Sequence, residues 1–574
     1  MFERSFRARA QSEALCFRGA DGSWTGITYA ELDRLAERLA RGLIANGITH
    51  GDRVAIISDS RPEWTLCDIA LARAGAVSVP LYHVSTAAEC EYVVRHSGAR
   101  MLIVETSEHL AIGEALQSGS SALKEIVAIE PELAGDHMTL ATLAELGEQI
   151  QQADRPLPEI APDDLFTIIY TSGTTGAPKG CMHTHATYVA AMQMTAAIGA
   201  IVESDVSYLY LPLAHVFGRE VQSLTLAVGG CLAFFGGDRT NVMEELSIIR
   251  PTFFASVPRL YEKIYTLARA KLERGGQGLS CAQLQQLLGA RLEGRAVASG
   301  FENGACQTVR ELFGGRLREA WSGAAPIASE VLEFLFACGV PIYEGYGLTE
   351  TAAACTLGTR GSVRLGAVGR ALPGFKTLTV DQEVRLCGPS VFTGYYRDPL
   401  ASSAVLDGGW FRTGDLGSVD DNGFLTITGR LKDVIITAGG KNIAPAPLEN
   451  EVRRSPYVEE VVIVGDRRPY LTALVIADLA AVQEQFGRRL IATETIGRGR
   501  AQALTVDRLA HELIQEVIAR TNESRPRWAQ IRSFSMLPTP LSQESGELTP
   551  TGKIRRGVVA ERHGRVIDAM YAPS

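Results

Sequence analysis

Short apolar segments alternate with helical patterns through the first 260 residues, and this alternation limits the folds that the chain can adopt. The apolar segments have strand length; they are RVAIIS, AVSVPL, MLIVE, LFTIIY, YLYLPL, CLAFF and TFFASVP. Between them lie helical patterns such as the one that follows Thr28, where Thr28 and Glu31 match a capping box. Strands that alternate with helices predict βαβ units and largely parallel sheets. We therefore expect an α/β fold with doubly wound sheets flanked by helices.

The pattern changes after about residue 380. Turn signals such as CGPS, DGGW and DDNG follow one another closely, which predicts a small β-rich subdomain. After residue 430, short strands alternate with helices such as TVDRLAHELIQEVIART, which predicts a smaller α+β module. Within that module SQESGELTPTG, residues 542–552, is polar and rich in turn formers, and we expect an exposed loop there.

Charge and cysteine usage limit the partners and the compartment. The net charge of −9 argues against a nucleic-acid partner, because phosphates call for an excess of basic residues. The ten cysteines are scattered and form no CxxC pair, which is typical of free thiols in a reducing compartment. Neither an apolar signal core nor a run of 18 apolar residues is present, so we expect a cytoplasmic protein without a membrane span.

The stretch YTSGTTGAPKG, from Tyr170 to Gly180, follows the apolar segment LFTIIY. Glycines let backbone N–H groups approach phosphate oxygens, hydroxyls add donors, and Lys179 adds a positive charge. A strand that leads through such a loop into a helix predicts phosphate binding. The loop is not of the Walker type, GxxxxGK[ST], because Gly180 follows the lysine.

With this loop, eight motifs occur in an order that resembles the adenylate-forming superfamily of acyl-CoA synthetases, adenylation domains and luciferases. The other seven are LPLAHVFGR (211–219), SGAAP (322–326), YEGYGLTET (343–351), GWFRTGDLG (409–417), GRLKD (429–433), GGKNIAP (439–445) and TPTGKIRR (549–556). The resemblance covers nearly the whole chain. Segments such as SRPEW and RPYLTALVIAD are most similar to bacterial long-chain fatty acyl-CoA synthetases.

The resemblance implies an ATP- and Mg²⁺-dependent ligase that works in two steps. A medium- or long-chain fatty acid first forms acyl-AMP and pyrophosphate, and the thiol of coenzyme A then displaces AMP. Three alternatives stay open: an acyl carrier protein as the acceptor, an aryl, short-chain or specialised-metabolite acid as the substrate, and a nucleotide-binding scaffold without catalysis. The resemblance also leaves open a homodimer and peripheral contact with the inner face of the membrane.

The resemblance assigns the ATP site to residues of the first 430 positions. Glu350 is implied as the Mg²⁺ ligand with Thr171, and Thr349 as a ligand of the α-phosphate. Asp415 and Arg430 would bind the ribose, since a carboxylate accepts hydrogen bonds from both hydroxyls. The implied phosphate loop comprises Thr171, Ser172, Gly173, Thr174, Thr175, Gly176 and Lys179, and the implied adenine slot comprises Gly323, Ala324, Ala325, Pro326, Tyr346 and Gly347.

The resemblance divides the chain into residues 1–431, which bind ATP and the acyl group, and a mobile C-terminal domain, residues 432–574. Lys553 is implied as the adenylation lysine, because an ammonium group neutralises charge between carboxylate and α-phosphate. Lys432 matches the hinge about which the C-terminal domain turns. Gly439 and Gly440 would then line the tunnel for the pantetheine arm of coenzyme A.

Two residues of LPLAHVFGR are implied at the acyl pocket. His215 resembles the catalytic histidine beside the acyl group, and Phe217 stands where long-chain enzymes carry an aromatic gate. His183 and His185 follow the phosphate loop, and we interpret them as features of a helix start rather than as a metal pair.

Overall fold

The computed structural model confirms the α/β fold, with a large N-terminal domain of sheets and helices and a smaller C-terminal domain. It describes residues 3–119, 122–150, 156–171, 177–295, 297, 299–302, 304–496, 506–523, 525–549 and 552–572. Ser172 to Gly176, five of the predicted phosphate-loop residues, lie outside the described residues.

The strands are numbered in chain order. They are β1 (Glu13–Arg18), β2 (Trp24–Thr28), β3 (Arg53–Ile57), β4 (Val77–Leu81), β5 (Met101–Val104), β6 (Glu125–Ala128), β7 (Met138–Thr139), β8 (Leu165–Thr171), β9 (Lys179–Thr184), β10 (Val206–Leu209), β11 (Cys231–Phe234), β12 (Phe253–Ser256), β13 (Glu319–Ser322), β14 (Ile342–Leu348), β15 (Ala353–Leu357), β16 (Arg370–Ala371), β17 (Lys376–Val380), β18 (Glu383–Cys387), β19 (Gly394–Tyr395), β20 (Leu406–Asp407), β21 (Trp410–Val419), β22 (Leu425–Arg430), β23 (Ile435–Ile436), β24 (Asn442–Ile443), β25 (Val458–Val464), β26 (Leu471–Ala477) and β27 (Ile531–Met536).

The helices are numbered in the same way. They are α1 (Glu3–Ala8), α2 (Tyr29–Ala45), α3 (Pro62–Arg73), α4 (Ala87–Ser97), α5 (Ser107–Ser118), α6 (Leu140–Gln149), α7 (His185–Ala197), α8 (Val216–Val228), α9 (Val242–Ile249), α10 (Pro258–Arg274), α11 (Cys281–Leu292), α12 (Ser299–Glu302), α13 (Ala305–Glu311), α14 (Ser329–Ala337), α15 (Pro399–Val405), α16 (Pro445–Arg453), α17 (Leu479–Ile496), α18 (Val506–Glu523), α19 (Arg556–Arg562) and α20 (Gly564–Tyr571). The expected capping box is present, since Thr28 and Glu31 each bond the other's backbone at the start of α2.

Two large sheets dominate the described residues. One has the strand order β16-β15-β14-β13-β12-β10-β11-β1-β2, and the other has β19-β9-β8-β4-β3-β5-β6-β7. Strand β3 is covered on both faces, because Val54 and Ile56 enter one core while Ala55 and Ile57 enter another. The first of these cores also contains Leu232 of the other sheet, so it joins the two sheets. Burial on both faces explains why these strands have nearly continuous apolar sequences.

The carboxyl ends of parallel strands bring the predicted motifs together. His215 lies in the connection after β10, Gly323 follows β13, and Thr349 follows β14, all in one sheet. In open α/β sheets, ligands bind in the crevice at these ends. The fold therefore places three distant motifs at one edge before any side chain is considered.

The phosphate loop differs from the sequence expectation. It does not run from a strand into a helix; it joins β8 to β9, which pair antiparallel with Thr171 opposite Lys179. Helix α7 begins only after β9, and Thr184 caps it. Strands β8 and β9 thus form a hairpin, and their pairing fixes the separation of Thr171 and Lys179 at the base of that hairpin.

The C-terminal domain is built on the strands β25-β26-β27. The expectation of an exposed loop over residues 542–552 is wrong for part of that range, because Glu547 and Thr549 are buried. Glu547 accepts hydrogen bonds from Ser545 and from His563, so the segment packs against the helices that follow it. In the described parts of the chain, no helix is both long enough and apolar enough to cross a membrane.

Candidate active site

Tyr346, Asp415 and Arg430 form a hydrogen-bonded group. The Tyr346 hydroxyl donates to Asp415 Oδ2 across 2.6 Å, and Arg430 Nε donates to Oδ1 across 2.6 Å. Asp415 and Arg430 face each other on β21 and β22, and only 3% of Asp415 is exposed. Each carboxylate oxygen keeps a second lone pair that can accept a hydroxyl. The group therefore presents a fixed acceptor pair beside an aromatic ring, which suits the ribose of a nucleoside.

Glu350 lies in a 3-10 turn, Thr349–Thr351, directly after β14. The hydroxyl of Tyr395 donates to Glu350 Oε1 across 2.8 Å, and the backbone N–H of Phe392 donates to the Glu350 carbonyl across 2.8 Å. Ala352, which ends the turn, has a φ of 58°. A left-handed alanine costs of order 1–3 kcal/mol, and such strain is concentrated at functional sites.

Lys179 and Thr171 lie at the base of the hairpin that β8 and β9 form, called here the phosphate hairpin. The ammonium group of Lys179 lies 4.9 Å from the ring centroid of Tyr395, a cation–π contact. Thr171 is half-buried, and its hydroxyl lies 3.4 Å from the Lys179 carbonyl oxygen. The hairpin base and the Glu350 turn therefore share Tyr395.

Lys553 reaches this group from the C-terminal domain. The side chain of Lys553 keeps contact with solvent, although protein groups surround it. This partial burial and the positive charge of Arg430 both lower the pKa of Lys553. Asp415 and Glu350 act in the opposite direction, while Lys432 adds a second repulsion. Lys553 therefore shares the site with Arg430, Lys432, Asp415 and Glu350, and Lys179 lies against the ring of Tyr395, which binds Glu350. Four cations against two carboxylates suit a polyanionic ligand.

Phe217 lies next to the SGAAP motif, and His215 lies two residues before it at the start of α8. His215 caps α8 by accepting from the backbone N–H of Phe217, and burial together with the Lys553 charge lowers the pKa of His215 to about 3. The Phe217 ring packs against Gly323, where an added Cβ would lie 3.3 Å from Cε1. Ala324, the next residue, has a φ of 69°, so the backbone is strained within the predicted adenine slot.

Glu350 fits the chemistry of a magnesium ligand. Mg²⁺ prefers carboxylate, hydroxyl and phosphate oxygens. Tyr395 binds one carboxylate oxygen, and no residue that the structure describes donates a hydrogen bond to the other, Oε2. That oxygen is available to a cation held jointly with a phosphate.

The structure also shows local contacts and exposure for other predicted residues. Gly347 is required by the sheet, because an added Cβ would lie 2.0 Å from the Ala353 carbonyl oxygen. Gly439 and Gly440 form an exposed turn. The Gly440 N–H donates to the Thr437 carbonyl oxygen, and the neighbouring Ala438 N–H donates to the Arg468 carbonyl oxygen of the same domain. Lys432 is exposed, and partial burial of its ammonium group and Arg430 lower its pKa.

Sequence reasoning missed His183. It lies in β9 rather than at a helix start, and its Nε2 lies 2.6 Å from the Thr349 carbonyl oxygen. Burial lowers the pKa of His183 to about 4, so the neutral ring donates to that carbonyl. The interpretation as a helix-start feature is wrong for His183, whereas His185 is the first residue of α7.

Sequence reasoning also missed the buried polar network behind the site. Arg219, the last residue of LPLAHVFGR, donates to both carboxylate oxygens of Asp68 and to Thr167 and Ser78. Its side chain is fully buried among aromatic rings. The contact joins α8 to α3 and β8, and therefore holds the two large sheets together behind His215 and Phe217. The positive charge of Arg219, at the end of a mostly apolar motif, was the available signal.

Family models and known proteins are similar to this chain over most of its length. A family model described as AMP-binding enzyme matches residues 2–396, and a model of the AMP-binding enzyme C-terminal domain matches residues 432–574. The chain is 36% identical to the long-chain-fatty-acid–CoA ligase FadD15 of Mycobacterium bovis, over 96% of this chain and 93% of that protein. It is 30% identical to the peroxisomal long chain acyl-CoA synthetase 7 of Arabidopsis thaliana, over 96% and 83%.

Solved structures share the fold. The adenylation domain of a carboxylate reductase from Mycobacterium chelonae aligns with a TM-score of 0.79 at 24% identity, over 100% of this chain and 90% of that chain. MatB from Rhodopseudomonas palustris, solved with ATP bound, aligns with a TM-score of 0.72 at 24% identity, over 98% and 99%. At these identities the likeness concerns the fold.

Proposed function

This chain belongs to the AMP-binding enzyme family, and on that premise we propose that it joins a medium- or long-chain fatty acid to the thiol of coenzyme A with ATP as the energy source. The relatives named above are a long-chain-fatty-acid–CoA ligase and a long chain acyl-CoA synthetase, which supports both the acid and the acceptor. The reaction would form acyl-AMP and pyrophosphate first, and acyl-CoA and AMP second.

One observation carries this proposal. Lys553 of the C-terminal domain lies within electrostatic range of Arg430, Asp415 and Glu350 of the N-terminal domain. A carboxylate and a triphosphate repel each other, so cations from both domains must neutralise them before they react. This arrangement supports the first half-reaction, in which Lys553 would stabilise charge that builds up between the acid and the α-phosphate.

The remaining roles are those that the resemblance implies, and the positions described above support them. Tyr346 would stack on adenine, and Gly323, Ala324, Ala325 and Pro326 would form the other wall. Asp415 and Arg430 would bind the ribose, and Thr349 the α-phosphate. The hairpin from Thr171 to Lys179 would hold the β- and γ-phosphates. Mg²⁺, held by Glu350 and Thr171, would supply charge neutralisation at the phosphates.

The second half-reaction needs a different arrangement. We propose that residues 432–574 turn about Lys432, withdrawing Lys553 and bringing Gly439 and Gly440 to the acyl-AMP. The exposed position of that glycine turn in the present arrangement supports this proposal. His215 and Phe217 would border the acyl carbonyl and the entrance for the chain. An acyl carrier protein as the acceptor, a homodimer, membrane contact and a cytoplasmic location stay predictions from the sequence.

A chain-length scan tests the proposal. Purified protein is incubated with ATP, Mg²⁺, one acid from C2 to C18 or an aryl acid, and either coenzyme A or an acyl carrier protein. Pyrophosphate release and thioester formation are both measured. We expect the highest kcat/KM for a medium- or long-chain acid and thioester formation with coenzyme A. Thioester formed only with acyl carrier protein would reassign the acceptor, and pyrophosphate release only with aryl or short acids would reassign the substrate.

A further inference from the structure

Tyr395 belongs to none of the eight motifs that carry the resemblance, yet its side chain contacts Glu350 and Lys179 of the candidate site. The residue is 7% exposed, and its ring packs edge-on against Phe392 with the ring centroids 4.8 Å apart. Its hydroxyl donates to Glu350 Oε1 across 2.8 Å. This hydrogen bond fixes one carboxylate oxygen, and the other, Oε2, receives no hydrogen bond from a described residue.

The same ring also contacts the phosphate hairpin. Lys179 Nζ lies 4.9 Å from the ring centroid. The attraction comes from the face of the ring and does not need the hydroxyl. Tyr395 therefore contacts the predicted metal ligand through its hydroxyl and the phosphate-loop lysine through its ring.

The backbone makes this contact rigid. Strand β19 pairs with β9, with Tyr395 opposite Cys181 and Gly394 opposite Met182. The Tyr395 N–H donates to Ser402 Oγ across 2.8 Å, and Phe392 holds the Glu350 carbonyl. The sheet edge thus fixes the backbone that carries the ring, and the packing against Phe392 holds the ring itself.

We propose that Tyr395 is a positioning residue that orients the Glu350 carboxylate for a divalent cation and aligns Lys179 with the phosphates on that cation. This inference rests on the proposed function. Hydrogen-bond partners behind a metal ligand change metal affinity by about 10–100-fold when they are removed.

Two substitutions separate the two contacts. Tyr395→Phe removes the hydroxyl and keeps the ring, whereas Tyr395→Leu removes both. Tyr396→Phe is the matched control, because the hydroxyl of Tyr396 lies 3.4 Å from the Ser97 carbonyl oxygen and not at Glu350. The readout is the rise in Tm that α,β-methylene-ATP causes in EDTA-treated protein as Mg²⁺ is added. This measurement needs no turnover.

We expect the midpoint Mg²⁺ concentration to rise about 10-fold in Tyr395→Phe, while binding of the nucleotide without metal stays at the wild-type level. Tyr395→Leu should also weaken metal-free binding, and Tyr396→Phe should behave as wild type. An unchanged midpoint in Tyr395→Phe, or an equal shift in Tyr396→Phe, would overturn the inference. If wild-type protein showed no Mg²⁺-dependent stabilisation at all, the metal part of the proposed function would fail instead.

Discussion

Arg555 Nη2 donates to Glu89 Oε1 across 3.0 Å and so joins the C-terminal domain to the start of α4. Both side chains are about a quarter exposed, at 24% and 25%. Arg555 lies two residues after Lys553, so this ion pair fixes the segment that carries the lysine. Partly exposed pairs contribute about 0.2–1 kcal/mol.

Glu89→Gln tests that pair without disturbing the helix, because glutamine can replace glutamate in the capping box with Thr86. We expect acyl-AMP formation to slow by about 2–5-fold, since up to ~1 kcal/mol of domain closure is lost. Thioester formation from preformed acyl-AMP should not change. Glu91→Gln is the control, because Glu91 pairs with Arg95 within the same helix. Equal slowing of both half-reactions would contradict a role in closure.

Lys553→Ala should slow acyl-AMP formation by on the order of 100-fold or more, the scale of one lost charge contact in a transition state. The thioester step should slow much less, because the lysine is expected to leave the site before it. Single-turnover measurements of pyrophosphate release and of thioester formation from synthetic acyl-AMP distinguish the steps. Arg565→Ala, an exposed change in α20, controls for general effects on the domain. A similar loss in both steps would contradict the alternation.

The parallel strands were predictable because each carries its own local pattern, as RVAIIS does for β3 and CLAFF for β11. Strand β9 was not, because KGCMHT mixes polar and apolar residues and acquires its structure by pairing with β8. The same limit hides Tyr395, whose contact with Glu350 spans 45 residues and depends on how β19 meets β9. The motif residues could be identified from the resemblance, whereas the residues that hold them in position needed the structure.

Asp415→Asn should reduce ATP affinity by about 10-fold, because one charge-assisted bond to Arg430 is weakened and hydrogen-bond acceptance from the ribose is halved. The more specific effect concerns the sugar. Wild-type protein should bind ATP more tightly than 2′,3′-dideoxy-ATP, and the variant should lose most of that preference. Isothermal titration with both nucleotides measures it. Retained discrimination in the variant would mean that another group binds the ribose.

Phe217→Ala should shift the preferred acyl chain length while the KM for ATP stays close to wild type. The reason is that the ring, although it packs on Gly323 of the proposed adenine wall, is expected at the entrance for the acyl chain and makes no polar contact with the Tyr346–Asp415 pair. Phe217→Trp should shift the preference in the opposite sense by narrowing the same space. A rise in the KM for ATP with unchanged chain preference would show that Phe217 acts on the nucleotide side.

Glu220 in α8 is fully buried, and this burial raises the pKa of its carboxyl group from 4.5 to about 7. It accepts a hydrogen bond from Thr195 across 3.1 Å. Because the folded state holds this proton more tightly than the unfolded state does, the free energy of unfolding should fall as the pH rises from about 4.5 to about 7. The pKa difference corresponds to about 3 kcal/mol. Glu220→Gln removes the titration, so the variant should gain Tm relative to wild type between pH 5 and pH 8. Glu333→Gln, an exposed change in α14, should show no such gain. If the Tm of the wild type and that of the Glu220→Gln variant changed with pH in parallel, the prediction would be wrong. Glu220 would then be ionised over the whole pH range, with its charge balanced inside the fold.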